Sequence, residues 1–258
     1  MINKYKSLIM LKVDINKITV HNNNATRELL RNIKFTLREK KIYTVLGKNG
    51  SGKSTLIKSL TDLLDKDIYK VIGKVYWHDE NIFEMDKLRL LELRTKEIKY
   101  VLQDLTNNFD PLKKIKYYFD KSGVSENTIS VHLKNYMLPE YGTISNLHSY
   151  EISGGMAQRL SFMLAILKKP KLLILDEPTS AIDYANINLI KIKLVDFKNA
   201  GGSVLVVTHD INFAKEISDE IAFLDNNKLS EFTESTMFFN DAEQKPYRGL
   251  LHSFKDLQ

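Results

Sequence analysis

The densest run of chemistry-bearing residues is Gly47-Lys48-Asn49-Gly50-Ser51-Gly52-Lys53-Ser54, with Thr55 directly behind it. Three glycines let the backbone curl so that successive N–H groups face inward, and a helix starting after the turn adds the positive end of its dipole. The spacing Gly-x4-Gly-Lys-Ser is that of a phosphate-binding loop. In that role Gly47, Asn49, Gly50, Ser51, Gly52 and Thr55 surround the phosphates. Lys53 reaches the β- and γ-phosphates, and the Ser54 hydroxyl ligates Mg²⁺. The bland alternative is a lysine-capped turn before a helix. Against it stand an apolar run, Ile42-Tyr43-Thr44-Val45-Leu46, before the loop and helix-forming residues after it.

A second candidate is Leu172-Leu173-Ile174-Leu175-Asp176-Glu177, four apolar residues closed by two carboxylates. Alone, it reads as a strand ending in solvent. Downstream of a phosphate loop it reads as a buried strand that delivers Asp176 to a Mg²⁺ shell and Glu177 to the water that attacks a γ-phosphate.

Both candidates must be held by strands. Alternation predicts strands over 11–20 and 29–37, separated by the turn Asn22-Asn23-Asn24, then a buried strand over 42–46. A helix is expected over 54–64, a strand over 71–77, a short helix over 86–93 and a strand over 98–102. From 104 to 168 the periodicity is helical and strands vanish. Strands over 171–175, 203–208, 220–224 and 228–232 then alternate with helices over 184–199 and 211–217. Such alternation argues for a mostly parallel sheet covered on both faces. The expected division is 1–103 for an N-terminal β part and phosphate-loop core, 104–168 for an inserted helical lobe, and 169–258 for the rest of the core and a tail.

At 43% hydrophobic and 27% charged over 258 residues, the composition is that of an ordinary globular protein with a sizeable core. The longest apolar runs are too short to span a bilayer, and the opening residues lack a secretory pattern, so a cytosolic chain is expected. Met10 is an alternative start. Zero cysteines exclude disulfides, thiolate zinc sites and cysteine-held iron–sulfur clusters. The net charge of +6 comes from scattered lysines and reads as a solvated surface rather than a nucleic-acid footprint.

Ile152-Ser153-Gly154-Gly155-Met156-Ala157-Gln158-Arg159 resembles the signature motif of ATP-binding cassette (ABC) ATPases, with Ile152 where leucine is usual. Pro178-Thr179-Ser180-Ala181-Ile182-Asp183 is similar to the family's D-loop, His209 to its switch histidine and Gln103 to its Q-loop glutamine. The resemblance implies an α/β fold: a P-loop NTPase core with a mostly parallel sheet, an N-terminal antiparallel β part and an inserted helical lobe. It further implies ATP hydrolysis with Mg²⁺. Glu177, His209 and Gln103 would be the catalytic residues, and Ser54, Gln103 and Asp176 would stand around the metal. Ser153, Gly154, Gly155 and Gln158 would act on the nucleotide of a partner copy, with Ser180 and Asp183 in the D-loop. The family's adenine-stacking aromatic has no counterpart here except His21, where stacking and a solvated loop are both open.

Gln103-Asp104-Leu105-Thr106-Asn107-Asn108-Phe109-Asp110-Pro111-Leu112 and Lys245-Pro246-Tyr247-Arg248-Gly249-Leu250-Leu251 resemble segments of importers for oligopeptides, dipeptides and nickel. The resemblance implies a peripheral subunit on the cytoplasmic side of the membrane. Its expected partners are a second ATPase subunit, identical or different, two membrane-spanning permease subunits and an external binding protein. No nucleic acid is expected. The alternatives are another ABC transporter class, or a soluble ABC ATPase acting on nucleic acid or ribosomes. Chains of that last kind carry two cassettes or a long coiled coil, and this chain has neither.

Overall fold

The computed structural model describes residues 8–22, 25–101, 109–180 and 183–240. They form two compact units: one from the residues up to Met85 together with those from Val207 on, the other Asp86–Val206.

The first unit opens with β1 (Ile9–Asn22) and β2 (Ala25–Arg38), paired antiparallel. Along β1 Leu11, Val13 and Ile15, then Ile18, mark the inward-facing alternation, with Met10 and Thr19 buried beside its two ends. This skip of three in a period of two is absorbed where the register against the next sheet strand shifts between Ile15 and Lys17. Next come β3 (Ile42–Leu46), buried along its whole length, and α1 (Lys53–Ser59). Beyond them lie β4 (Tyr69–Trp77), antiparallel to β1, and β5 (Glu80–Asn81), antiparallel to β4. The helix expected over 54–64 ends at Ser59. Asp62 takes a left-handed φ of 55° and the Leu63 N–H closes back on the Lys58 carbonyl at 2.9 Å, a Schellman-type stop that Asp permits without glycine.

In the second unit α2 (Lys87–Glu92), capped by Asp86, runs into a single π-turn (Leu93–Glu97) and then β6 (Ile98–Val101). Three helices follow: α3 (Ile115–Ser122), α4 (Glu126–Asn135) and α5 (Tyr141–Ile144). The long helix α6 (Gly154–Leu167) buries Ala157, Leu160, Phe162, Met163, Ala165 and Leu167. It contacts α3, α4, β6 and α7, which accounts for apolar residues around most of its circumference. The unit continues with β7 (Leu172–Asp176), parallel to β6, with α7 (Tyr184–Asn199), and with β8 (Ser203–Thr208), whose last two residues belong to the first unit. Leu172, Leu173, Ile174 and Leu175 are each 0% exposed, so each contributes about 1.5–3 kcal/mol of apolar burial.

The first unit closes with α8 (Ile211–Ile217), β9 (Glu220–Asp225), β10 (Lys228–Leu229), β11 (Thr233–Glu234) and α9 (Ser235–Asn240). Strand β9 is parallel to β3 and antiparallel to β10 and β11. The strand expected over 228–232 is thus confined to Lys228–Leu229, and β11 begins only at Thr233, beyond it. Between them the Ser230 hydroxyl accepts from the Phe223 N–H at 2.9 Å, and the Phe232 ring packs edge-on against Phe35 and Tyr43. Leu46, Ile211, Ala214, Ile221, Phe223 and Phe238 form one core cluster under the end of β3.

Candidate functional site

Residues 47–52 bridge the end of β3 and the head of α1. Gly50 and Gly52 take φ of 77° and 100°, which a side chain resists. At Gly47 the restriction is space, since a Cβ would fall 2.7 Å from the Leu224 carbonyl and 2.8 Å from Ser51 Oγ. That Ser51 oxygen is buried without a hydrogen-bond partner. The Lys53 side chain is 5% exposed and lies across its own loop, donating to the Gly47 and Lys48 carbonyls at 2.8 and 3.0 Å. Side-chain oxygens of Asp86, Ser125, Ser153, Asp183 and Asp210 close the heads of α2, α4, α6, α7 and α8, whereas Gly52 brings none to α1, as Lys114 and Glu140 bring none to α3 and α5. A buried orphan hydroxyl, an enclosed lysine and a helix head without a side-chain cap fit a bound phosphate. Asn49, Ser54 and Thr55 flank these groups.

The same unit brings in His209. The Gly47 N–H donates to the Thr208 carbonyl at 3.2 Å, so the start of the loop and the residue after β8 share one edge. Asp210, next along, receives the Phe213 N–H at 2.9 Å and starts α8. His21 stands far along β1, exposed, with Nδ1 2.9 Å from Thr26 Oγ1 and Nε2 3.3 Å from Thr19 Oγ1. The two threonines hold the imidazole by its edges.

In the second unit Asp176 ends β7 at 5% exposure, and Glu177 follows at 6%. Glu177 takes a left-handed φ of 47°, a conformation costly for any residue with a Cβ, and its carbonyl accepts from the Ser180 N–H at 3.1 Å. The Ser54 hydroxyl and the Asp176 carboxylate are hard oxygen donors, the type Mg²⁺ takes alongside phosphate oxygens.

Ser153 and Gly154 are exposed at the head of α6, where Ser153 Oγ accepts from the Met156 N–H at 3.2 Å. Gln158 turns inward instead. At 2% exposure its Nε2 donates to the Pro178 carbonyl at 2.7 Å, tying α6 to the turn that carries Glu177. Asp183 caps α7 with both oxygens, on the Asn186 N–H at 2.9 Å and on Asn186 Nδ2 at 2.7 Å. The Asn186 backbone N–H, first among several donors, holds the Asp183 carboxyl below the usual range. Asn186 and its partner Arg159 were not singled out as site residues from sequence; the Asp-x-x-Asn spacing looks like ordinary helix capping. Gln103 and the segment 104–108, Ala181, Ile182 and the tail 245–251 lie outside the described residues.

The profile of the ABC transporter family matches residues 30–180, more than half of the chain. The chain belongs to the ABC transporter family. This cassette is 31% identical over 232 residues to the phosphate import ATP-binding protein PstB of Saccharolobus solfataricus, covering 85% of this chain and 87% of that protein. It is 30% identical to the dipeptide transport ATP-binding protein DppD of Caldanaerobacter subterraneus, over 86% of this chain and 71% of that protein. Its fold superposes with a TM-score of 0.73 on the dimeric post-hydrolysis state of the ATP-binding cassette MJ0796 bound to ADP and Pi. That match has 25% identity over 88% of this chain and 99% of the other. The cassette therefore binds ATP and hydrolyses it, as its sequence motifs imply. Among its described residues no helix is long and apolar enough to cross a membrane.

Proposed function

We propose that this ABC ATPase drives an importer of peptides or of nickel and related metal complexes. In this reading it docks peripherally on the cytoplasmic side of the membrane beneath two permease subunits, fed by an external binding protein. The similarity to DppD over most of both chains supports it most directly. The comparable similarity to PstB supports a second reading, import of an inorganic anion such as phosphate. Copurification of the tagged chain with two multispanning proteins tests the transporter assignment, and uptake of labelled dipeptide, nickel or phosphate by cells with and without it separates the cargoes.

In the proposed mechanism the triphosphate displaces the Gly47 and Lys48 carbonyls as acceptors for Lys53, and the N–H groups of the glycine loop beyond Gly47, whose own N–H stays on the Thr208 carbonyl, take the phosphate oxygens. Ser54, Asp176 and Gln103 would hold Mg²⁺, which would supply positive charge to offset that of the phosphates. Glu177 takes a proton from the attacking water, a contribution of about 10²–10⁴ in rate. His209 holds the γ-phosphate, and Gln103 couples its presence to the helical lobe 104–168. His21 lies against the adenine. The exposed head of α6, with Ser153 and the backbone of Gly154 and Gly155, closes the nucleotide of a second cassette subunit. That arrangement is supported by the dimeric state in which MJ0796 holds ADP and Pi. Glu177→Gln is expected to bind ATP, lose most turnover and elute as an ATP-dependent dimer. Adding Ser153→Arg abolishes the dimer and spares monomer binding. A dimer that persists with Ser153→Arg overturns closure across subunits.

A further inference from the structure

Between helices α6 and α7 a cation and an anion are joined through one neutral side chain. Arg159 Nη1 donates to Asn186 Oδ1 at 3.0 Å, and Asn186 Nδ2 donates to Asp183 Oδ2 at 2.7 Å. A guanidinium only donates and a carboxylate only accepts, so the carboxamide has a single orientation that satisfies both. Asn186 is 7% exposed, and a buried amide so engaged resists displacement. It also fills the space that Gly155 leaves, since a Cβ on Gly155 would stand 2.9 Å from Asn186 Nδ2. The turn after β7 is already tied to α6 at its near end by Gln158 and the Pro178 carbonyl. Asn186 makes the tie at its far end.

We propose that Asn186 is a positioning residue: its amide relays Arg159 of α6 to Asp183, so that residues 153–155 and the head of α7 meet the partner subunit as one rigid piece. The inference rests on the proposed closure of each nucleotide by the second subunit. Two loops that must engage a facing surface together lose less conformational freedom on engagement when their mutual geometry is set beforehand.

Asn186→Leu keeps nearly the same shape and removes both side-chain hydrogen bonds. It is expected to lower steady-state ATP turnover more than tenfold, while the affinity of the monomer for a fluorescent ATP analogue changes less than twofold. Asn186→Asp sets two carboxylates side by side and is expected to fall as far. Arg159→Met removes the cation at the other end of the relay and is expected to lower turnover as far as Asn186→Leu, with the same unchanged monomer affinity. Turnover of Asn186→Leu within twofold of the parent overturns the proposal. So does turnover of Arg159→Met within twofold of the parent. In the Glu177→Gln background, Asn186→Leu is also expected to weaken the ATP-driven dimer. If Glu177→Gln with Asn186 intact does not dimerise, closure across subunits fails, and the turnover of Asn186→Leu and Arg159→Met still decides the role of Asn186.

Discussion

Gly154 and Gly155 are neighbours at the head of one helix, yet a methyl group added to each meets opposite surroundings. Beside Gly154 nothing lies within 4 Å, whereas at Gly155 the methyl stands 2.9 Å from Asn186 Nδ2. Alanine in a helix is better than glycine by up to about 1 kcal/mol, less in a first turn, and this gain applies to both positions. The difference between the two variants therefore isolates the contact. Ordinary contact needs roughly half an ångström more than is present. The amide cannot retreat cheaply, because Arg159 and Asp183 hold its two ends. Overpacking of this kind costs about 1–3 kcal/mol. Gly154→Ala is expected to be neutral or stabilised by up to about 0.5–1 kcal/mol, and Gly155→Ala to lie about 1–3 kcal/mol below it. Urea unfolding followed by circular dichroism, with matched slopes, measures the gap. Adding Asn186→Ala to each is expected to shrink the gap, because the obstructing atoms are gone. Equal stability of the two alanine variants would refute the argument that Asn186 packs immovably on the signature turn.

Gly73 is a harder limit: its φ is 146°, and a Cβ would meet the Asp14 carbonyl at 2.4 Å and Ile15 Cα at 2.5 Å, both backbone. Gly73→Ala is expected to cost about 2–5 kcal/mol, read as a lower urea midpoint. Tyr43 is 0% exposed, and burial pushes its phenol up to about 12, opposed by the Arg38 N–H that it accepts. A raised folded pKa means stability complete below pH 10 and lost as pH climbs towards 12, by at most about 2–3 kcal/mol. Denaturant titrations across that window should show a smaller loss for Tyr43→Phe than for the parent. Lys53→Ala removes the enclosed cation of the glycine loop, and titration with a fluorescent ATP analogue should show affinity falling at least tenfold.

Much of the architecture was legible because the period of the side chains is set locally. The buried strand at 42–46, the helix at 184–199 and the strand at 203–208 fall at the expected bounds, each with flanking turns or caps in the sequence. The early stop of α1 was not legible, since it depends on Asp62 accepting a left-handed conformation. Nor was α9, a helix of six residues that is held by Phe238 entering a core assembled from distant strands.

For the candidate site, the chain alone determined which residue types stand in which order. The Gly-x4-Gly-Lys-Ser spacing, the Asp-Glu pair and the Ser-Gly-Gly turn are contiguous, and their chemistry follows from local backbone geometry. Only the tertiary structure decided that Gln158 is spent on the Pro178 carbonyl, that Glu177 sits in a left-handed conformation, and that Asn186 occupies the space left by Gly155. Each of these depends on packing between elements 20 or more residues apart or on strain imposed from outside the segment. No local pattern encodes such a contact.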